Sequence, residues 1–219
     1  MKAFIINLER SLDRKEYMQR QNQKLFEKNP SLKNKLEFIF FKAVDAKNKE
    51  YLEFKQHFPW WASWVLGREL SDEFLNNGEE YIEELSKSEY EYVRFCYLFD
   101  KKFYPLNENY ILSFEKLAGT QGYVLKPSAA NKFISKAKFI YTPVDDYMDM
   151  FYKHKVLNIV KKPLLLKHNC KLESEISNLG RTNKKLKIHR KIVREIFRLY
   201  RDISRLLYVF YIKKKLNLK

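Results

Sequence analysis

Asn7, Arg10 and Arg14 stand just past the apolar run Phe4-Ile5-Ile6. Guanidinium groups fork onto phosphate oxygens, and a helix start beside them offers free backbone amides to an anion. Such a set suits a diphosphate, although the residue types equally describe a solvated, charged helix start. A second cluster is Gly119-Thr120-Gln121-Gly122-Tyr123. Two glycines three apart permit a tight turn and close ligand approach. Thr120 and Gln121 add polar groups, and Tyr123 adds a ring on which a sugar face can stack. An ordinary β-turn is the plainer alternative. The third cluster is Pro143-Val144-Asp145-Asp146. Asp145 can bind hydroxyls or accept a proton, or it can simply complement the positive end of a helix. His57, His154, His168 and His189 have no metal-ligand spacing with a cysteine or carboxylate. No Ser-His-Asp arrangement, P-loop or zinc motif is present.

These residues need elements to hold them. Residues 3–8 read as a buried strand, 12–28 as a helix capped by Ser11 or Asp13 and ended by Asn29-Pro30, and 37–42 as a second strand. Strand, helix, strand predicts a βαβ unit and an α/β sheet. In such sheets ligands bind past the carboxyl ends of strands, which is where Asn7, Arg10, Arg14 and, after the second strand, Asp45 fall. Residues 72–86 predict an acidic helix capped by Ser71, and 90–98 a strand. Residues 111–114 and 122–125 predict a pair around the Gly119–Gly122 turn. Helices are expected over 128–137, with Ser128 as cap, and over 144–154. Pro163 breaks 156–167 into two short apolar runs.

The 219 residues suffice for one domain with a real core. An apolar content of 45% with 16% aromatic residues excludes a disordered chain. No signal peptide opens the sequence and no run approaches the roughly 20 apolar residues of a membrane span. Cys96 and Cys170 read as buried free thiols of a reducing cytoplasm. The net charge of +16 is uneven. Residues 181–219 hold 14 Lys/Arg and two acids, +12, leaving +4 for the remaining 180 residues. The chain therefore divides into a body, 1–180, and a basic tail, 181–219. In the tail Ile188, Ile192, Ile196, Leu199, Ile203, Leu206 and Phe210 recur every three or four residues, flanked by arginines and closed by Lys213-Lys214-Lys215. That pattern is a basic amphipathic helix, suited to an anionic membrane surface or to packing on the body. Nucleic acid is not the expected partner, because the body carries no recognised nucleic-acid motif.

The opening Ile6-Asn7-Leu8-Glu9-Arg10-Ser11-Leu12-Asp13-Arg14, the Gly119-to-Tyr123 phrase with its small-residue helix, and Pro143-Val144-Asp145, in this order, resemble glycosyltransferase family 25, bacterial enzymes that extend lipopolysaccharide. The resemblance implies a reduced GT-A, Rossmann-like domain that transfers a hexose, often galactose, from a UDP-sugar to a lipooligosaccharide acceptor. It implies that Asn7, Arg10, Arg14 and Asp45 cradle the donor nucleotide, and that Gly119, Thr120, Gln121 and Tyr123 bind sugar or acceptor. Asp145 is then the candidate catalytic carboxylate. The acceptor lies on the cytoplasmic face of the inner membrane, where the tail would attach the protein peripherally.

The resemblance also implies Mn²⁺, held by hard oxygen ligands that neutralise a leaving diphosphate. Here the chain departs from the family. Gly67-Arg68-Glu69 stands where the family has Glu-Asp-Asp, and the 21 residues 46–66 replace a longer segment. No residue is assigned as a metal ligand. A catalytically inactive member that still binds a membrane surface is the alternative reading.

Overall fold

The structure, a computed structural model, describes residues 1–7, 9, 11–42, 68–98, 101–118, 122–137, 144–168 and 188–218. It begins with the predicted βαβ unit: β1 (Lys2–Asn7), α1 (Leu12–Lys28) and β2 (Glu37–Lys42), with β1 and β2 paired in parallel from Lys2↔Glu37 to Asn7↔Lys42. The first strand is not buried as expected: Phe4 is 62% exposed, and Ala3 and Ile5 are half-buried. α1 stops at Asn29, ahead of Pro30. The Asn29 amide donates to the carbonyls of Leu25 (3.1 Å) and Leu75 (2.8 Å), so the stop signal also ties α1 to the next helix. That helix, α2 (Asp72–Lys87), starts as expected, with Ser71 Oγ accepting from Phe74 N at 3.1 Å. Its buried face, including Phe74, Leu75, Gly78, Ile82 and Leu85, follows three- and four-residue spacing. Gly78 is needed at the crossing: a Cβ there would lie 2.7 Å from Leu25 Cδ1.

Between α2 and the C-terminal helix lies a mixed sheet. Its strands are β4 (Tyr92–Arg94), β5 (Phe103–Pro105), β6 (Tyr110–Ser113), β7 (Tyr123–Leu125) and β8 (Asn158–Lys161), in the order β5-β6-β8-β4-β7. Only β4 and β8 run parallel; the other neighbours are antiparallel. A short antiparallel pair joins β3 (Arg68–Leu70) to β9 (Leu166–His168). The fold is therefore mixed α/β. α2 is fastened to the sheet by Lys161, whose fully buried Nζ lies 2.9 Å from the Glu84 carboxylate, between the rings of Tyr81 and Tyr110.

Several local expectations change. β6 does not pair with β7; it forms a hairpin with β5. The turn that closes this hairpin is an Asx turn, in which Asn107 Oδ1 accepts from Asn109 N at 2.9 Å. The strand expected over 90–98 shortens to Tyr92–Arg94, because Phe95 N and O are drawn to Gly122 O (2.9 Å) and Leu165 N (3.1 Å). α3 (Pro127–Lys136) begins at its proline, with Lys126 rather than Ser128 at the cap position. The helix expected over 144–154 is two, α4 (Val144–Met148) and α5 (Phe151–His154), separated where Asp149 turns inward.

The tail forms α6 (Ile188–Lys215). Its last turns are seated on the body. Ile212 is buried in the main core, Tyr208 packs against Phe151, and Lys155 Nζ stands 3.9 Å above the Tyr208 ring. The expected stripe from Ile196 to Phe210 is not the seated face. The 180/181 boundary lies outside the described residues.

Candidate functional site

The parallel register of β1 and β2 places Asn7 beside Lys42, so the loops following both strands leave from one sheet edge. Asn7 does not simply point at a ligand: its amide donates to Ser11 O at 3.1 Å and shapes the turn into α1. Ser11 is buried and makes no side-chain cap bond. Arg14 is half-buried in the first turn of α1. Arg10 and Asp45 lie outside the described residues.

Gly119, Thr120 and Gln121 also lie outside the described residues, but both shoulders of their loop are described, and they are held tightly. On one side stands Ala118, with a left-handed φ of 53° that a non-glycine residue adopts only under constraint. Its N–H donates to Asp149 Oδ2 at 2.9 Å, and its carbonyl accepts from Arg94 Nη1 at 3.1 Å. Arg94 Nη2 and Asp149 Oδ1 close the ring at 2.7 Å, and Asn158 Nδ2 donates to the same oxygen at 3.2 Å. Arg94 is 1% exposed, and its guanidinium lies 5.5 Å from the centre of the Tyr92 ring. Burial pushes the Asp149 carboxyl above its ordinary value, against the pull of Arg94 and the Ala118 amide.

On the other shoulder, Gly122 serves packing. A Cβ at Gly122 would fall 2.3 Å from Leu166 Cδ1 on β9. Tyr123 is half-buried with its ring edge-to-face on Tyr92, centroids 5.5 Å apart, and burial raises its hydroxyl pKa. Part of the ring expected to stack on sugar is thus spent on Tyr92.

The Pro143 phrase is joined to this loop. Asp146 forms an ion pair with Lys116, two residues before Ala118, and Asp149 holds Ala118 itself. Asp145, in the first turn of α4, is half-exposed. The structure therefore brings the third sequence cluster against the flank of the second, with Asp146 paired to Lys116 and Asp149 holding Ala118. Arg94, Asp149 and Asn158 escaped the sequence reading. The available signal was a lone arginine inside an apolar strand run, with an aspartate one helical turn after Asp145.

His154 is structural. It is 1% exposed, Nδ1 accepts from Val156 N at 3.2 Å, and Nε2 lies 3.2 Å from Tyr147 O. Burial lowers its pKa to about 4, so the ring is neutral. Cys96 is a buried free thiol; Cys170 lies outside the described residues.

A family model described as Glycosyltransferase family 25 (LPS biosynthesis protein) matches residues 1–73 and 72–148. The chain belongs to glycosyltransferase family 25. The match covers both shoulders of the glycine loop and Asp145. It ends at Met148. Its break falls at the start of α2, just past Gly67-Arg68-Glu69. No curated protein and no solved structure matches the chain.

The family's metal finds a poor fit among the described side chains at that place. Asp72 pairs with Lys167, which holds its carboxyl below the ordinary value. Glu73 accepts from Tyr81 OH at 3.0 Å and from Asn77 Nδ2 at 3.2 Å. Both carboxylates accept from protein donors in this arrangement, Asp72 in an exposed surface pair. The side chain of Glu69 lies outside the described residues. Among the described residues no three His, Cys, Asp or Glu gather around a common point.

Proposed function

We propose that this family 25 member transfers a hexose, galactose by family likeness, from a UDP-sugar to a lipooligosaccharide acceptor. It does so on a reduced GT-A framework at the cytoplasmic face of the inner membrane. The observation that carries the reading is the joining of the two family phrases: Asp149 and Asp146 tie the Pro143 segment to the shoulder of the glycine loop. That arrangement leaves Asp145 half-exposed beside a loop whose ends cannot drift.

In this reading Arg10 and Arg14 receive the donor diphosphate, with Asn7 and Asp45 shaping the loops that approach it. Thr120, Gln121 and Tyr123, on the chain from Gly119, orient the sugar and acceptor. The Asp145 carboxylate takes the proton of the acceptor hydroxyl as that oxygen bonds to the anomeric carbon. The bond from that carbon to the diphosphate oxygen breaks, and the arginines bear the charge of the departing UDP. No step is assigned to a metal.

Titration calorimetry with UDP tests the donor site. Binding is expected, and Arg10→Ala or Arg14→Ala should weaken it on the order of 10- to 100-fold, the value of one charge-assisted contact. Mn²⁺ should change the affinity little. An absence of UDP binding would overturn the donor assignment and favour the inactive, membrane-bound alternative, which the Gly67-Arg68-Glu69 departure from the family's Glu-Asp-Asp motivates.

A further inference from the structure

α6 has two apolar faces, and among the described residues one of them is seated on the body. Tyr208, Val209 and Ile212 face the body, and Ile212 is buried in the main core. On the opposite side Ile196, Leu199, Ile203, Leu207 and Phe210 form a stripe, with Tyr200 and Tyr211 at one edge and Leu206, which also lines the cleft against the body, at the other. At about 100° per residue this stripe spans roughly 140° and is centred almost diametrically across from Ile212. Every one of these side chains is exposed, Leu199 at 63% and Phe210 at 73%. A patch this continuous on a monomer marks an interaction surface.

Charge selects the occupant. α6 carries nine Lys/Arg against Glu195 and Asp202, so two copies meeting along the stripe would bring two helices of +7 together. An anionic surface gains where a second copy loses. Arg198 and Arg201 lie on the seated side, within about one helix diameter (~10 Å) of the stripe. That is close to a Debye length, so they still act on a surface the stripe enters. The cleft where α6 meets the body, about 500 Å³, is also basic: Lys101, Lys102, Lys116 and Arg205 line it against one acid, Glu115.

We infer that α6 is a rigid mount between the body and an anionic lipid surface. Its seated face bolts it to the body, and its Ile196-to-Phe210 face lies in the headgroup boundary. The helix would then lie along the membrane with the body on its far side, holding the glycine-loop site at a constant height over a lipid-linked acceptor. The inference deepens the membrane reading above and rests on it. Vesicle binding is nonetheless measured without any sugar donor, so its failure and a failure of UDP binding are read separately.

The test is co-sedimentation of the full chain with phosphatidylglycerol/phosphatidylcholine vesicles and with pure phosphatidylcholine vesicles. Binding should be roughly tenfold or more stronger on the anionic vesicles, given several cations near the surface, and should weaken with salt. The triple variant Leu199→Asp/Ile203→Asp/Phe210→Asp, with unchanged circular dichroism, should lose most of it. The double variant Arg198→Gln/Arg201→Gln should keep apolar binding and show a shallower salt dependence than the wild type, since seven of the nine α6 cations remain. Equal binding to both vesicle types would overturn the inference. So would a wild-type dimer in sedimentation velocity that the triple variant converts to monomer while vesicle binding is unchanged.

Discussion

Arg94 and Asp149 are an ion pair that water does not reach, and their value lies in what they hold. A buried pair gains little over an apolar pair of equal size, yet removing one member strands a charge, at a cost of about 3–5 kcal/mol. Asp149→Leu and Arg94→Met should therefore each lower the urea midpoint severely. The double variant should be more stable than either single change predicts by addition. Denaturant titration of the three variants checks this; strict additivity would show that the two residues are not coupled. His154 supplies a pH signature. Its folded pKa, about 4, lies below the ordinary value, so the folded state excludes a proton that the unfolded chain accepts. The stabilisation is complete above about pH 6.5 and is lost as pH falls toward 4, by on the order of 3 kcal/mol. His154→Gln should flatten the slope of stability against pH in that window relative to the wild type.

At the scale of elements, the site depends on how α1, α2 and β4 are fastened. α2 carries the helix start that follows Gly67-Arg68-Glu69, and its first turn hangs on the Ser71 cap. Ser71→Ala should cost about 1 kcal/mol and lower the melting temperature by roughly 2–4 °C for a chain of this size. UDP affinity should be unchanged, because the cap lies on α2 and not on the βαβ unit. Differential scanning fluorimetry with and without UDP measures both. Asn29 has a wider role than ending α1: its single amide group satisfies Leu25 O, Leu75 O and Glu79 N. It couples the nucleotide-side helix to α2 through backbone groups that no apolar residue could satisfy.

For the whole molecule, the C-terminal helix is part of the body at its last turns, while its side chains from Ile196 to Phe210 on the other face are exposed among the described residues. Deleting α6 would strip Ile212 from the core as well as remove a charged surface, so a truncation mixes stability with binding. Point changes separate them. Ile212→Ala should destabilise by about 2–5 kcal/mol, as for other fully buried aliphatic side chains. Ile203→Ala, on the free face and 49% exposed, should stay within about 0.5 kcal/mol. Equal losses in chemical denaturation would mean that the stripe packs on the protein after all. Among the described residues no helix is long and apolar enough to cross a membrane, so any attachment through α6 is made along a surface.

Local chemistry was legible in the residues themselves. Asn29-Pro30 stops α1, Ser71 starts α2, and apolar runs at 3–8 and 37–42 become β1 and β2, because caps, prolines and strand-forming runs act within a few residues of chain. The family, too, was readable, from short phrases whose order survives. The pairing of strands was not. Gly119–Gly122 looked like a hairpin turn, and only the Asx turn at Asn107 and the parallel contact of β4 with β8 placed β6 away from β7. The site's inner support was hidden for the same reason. Arg94, Ala118, Asp149 and Asn158 are separated by up to tens of residues, and only burial, which makes an unpaired charge intolerable, reveals that they must meet. The tail shows the division most plainly. Periodicity alone found an apolar stripe with basic flanks, and it could not say which face would be covered. The choice fell to the side chains at 208, 209 and 212, because a helix seats where its shape meets a complementary core, and the longer stripe was left outside.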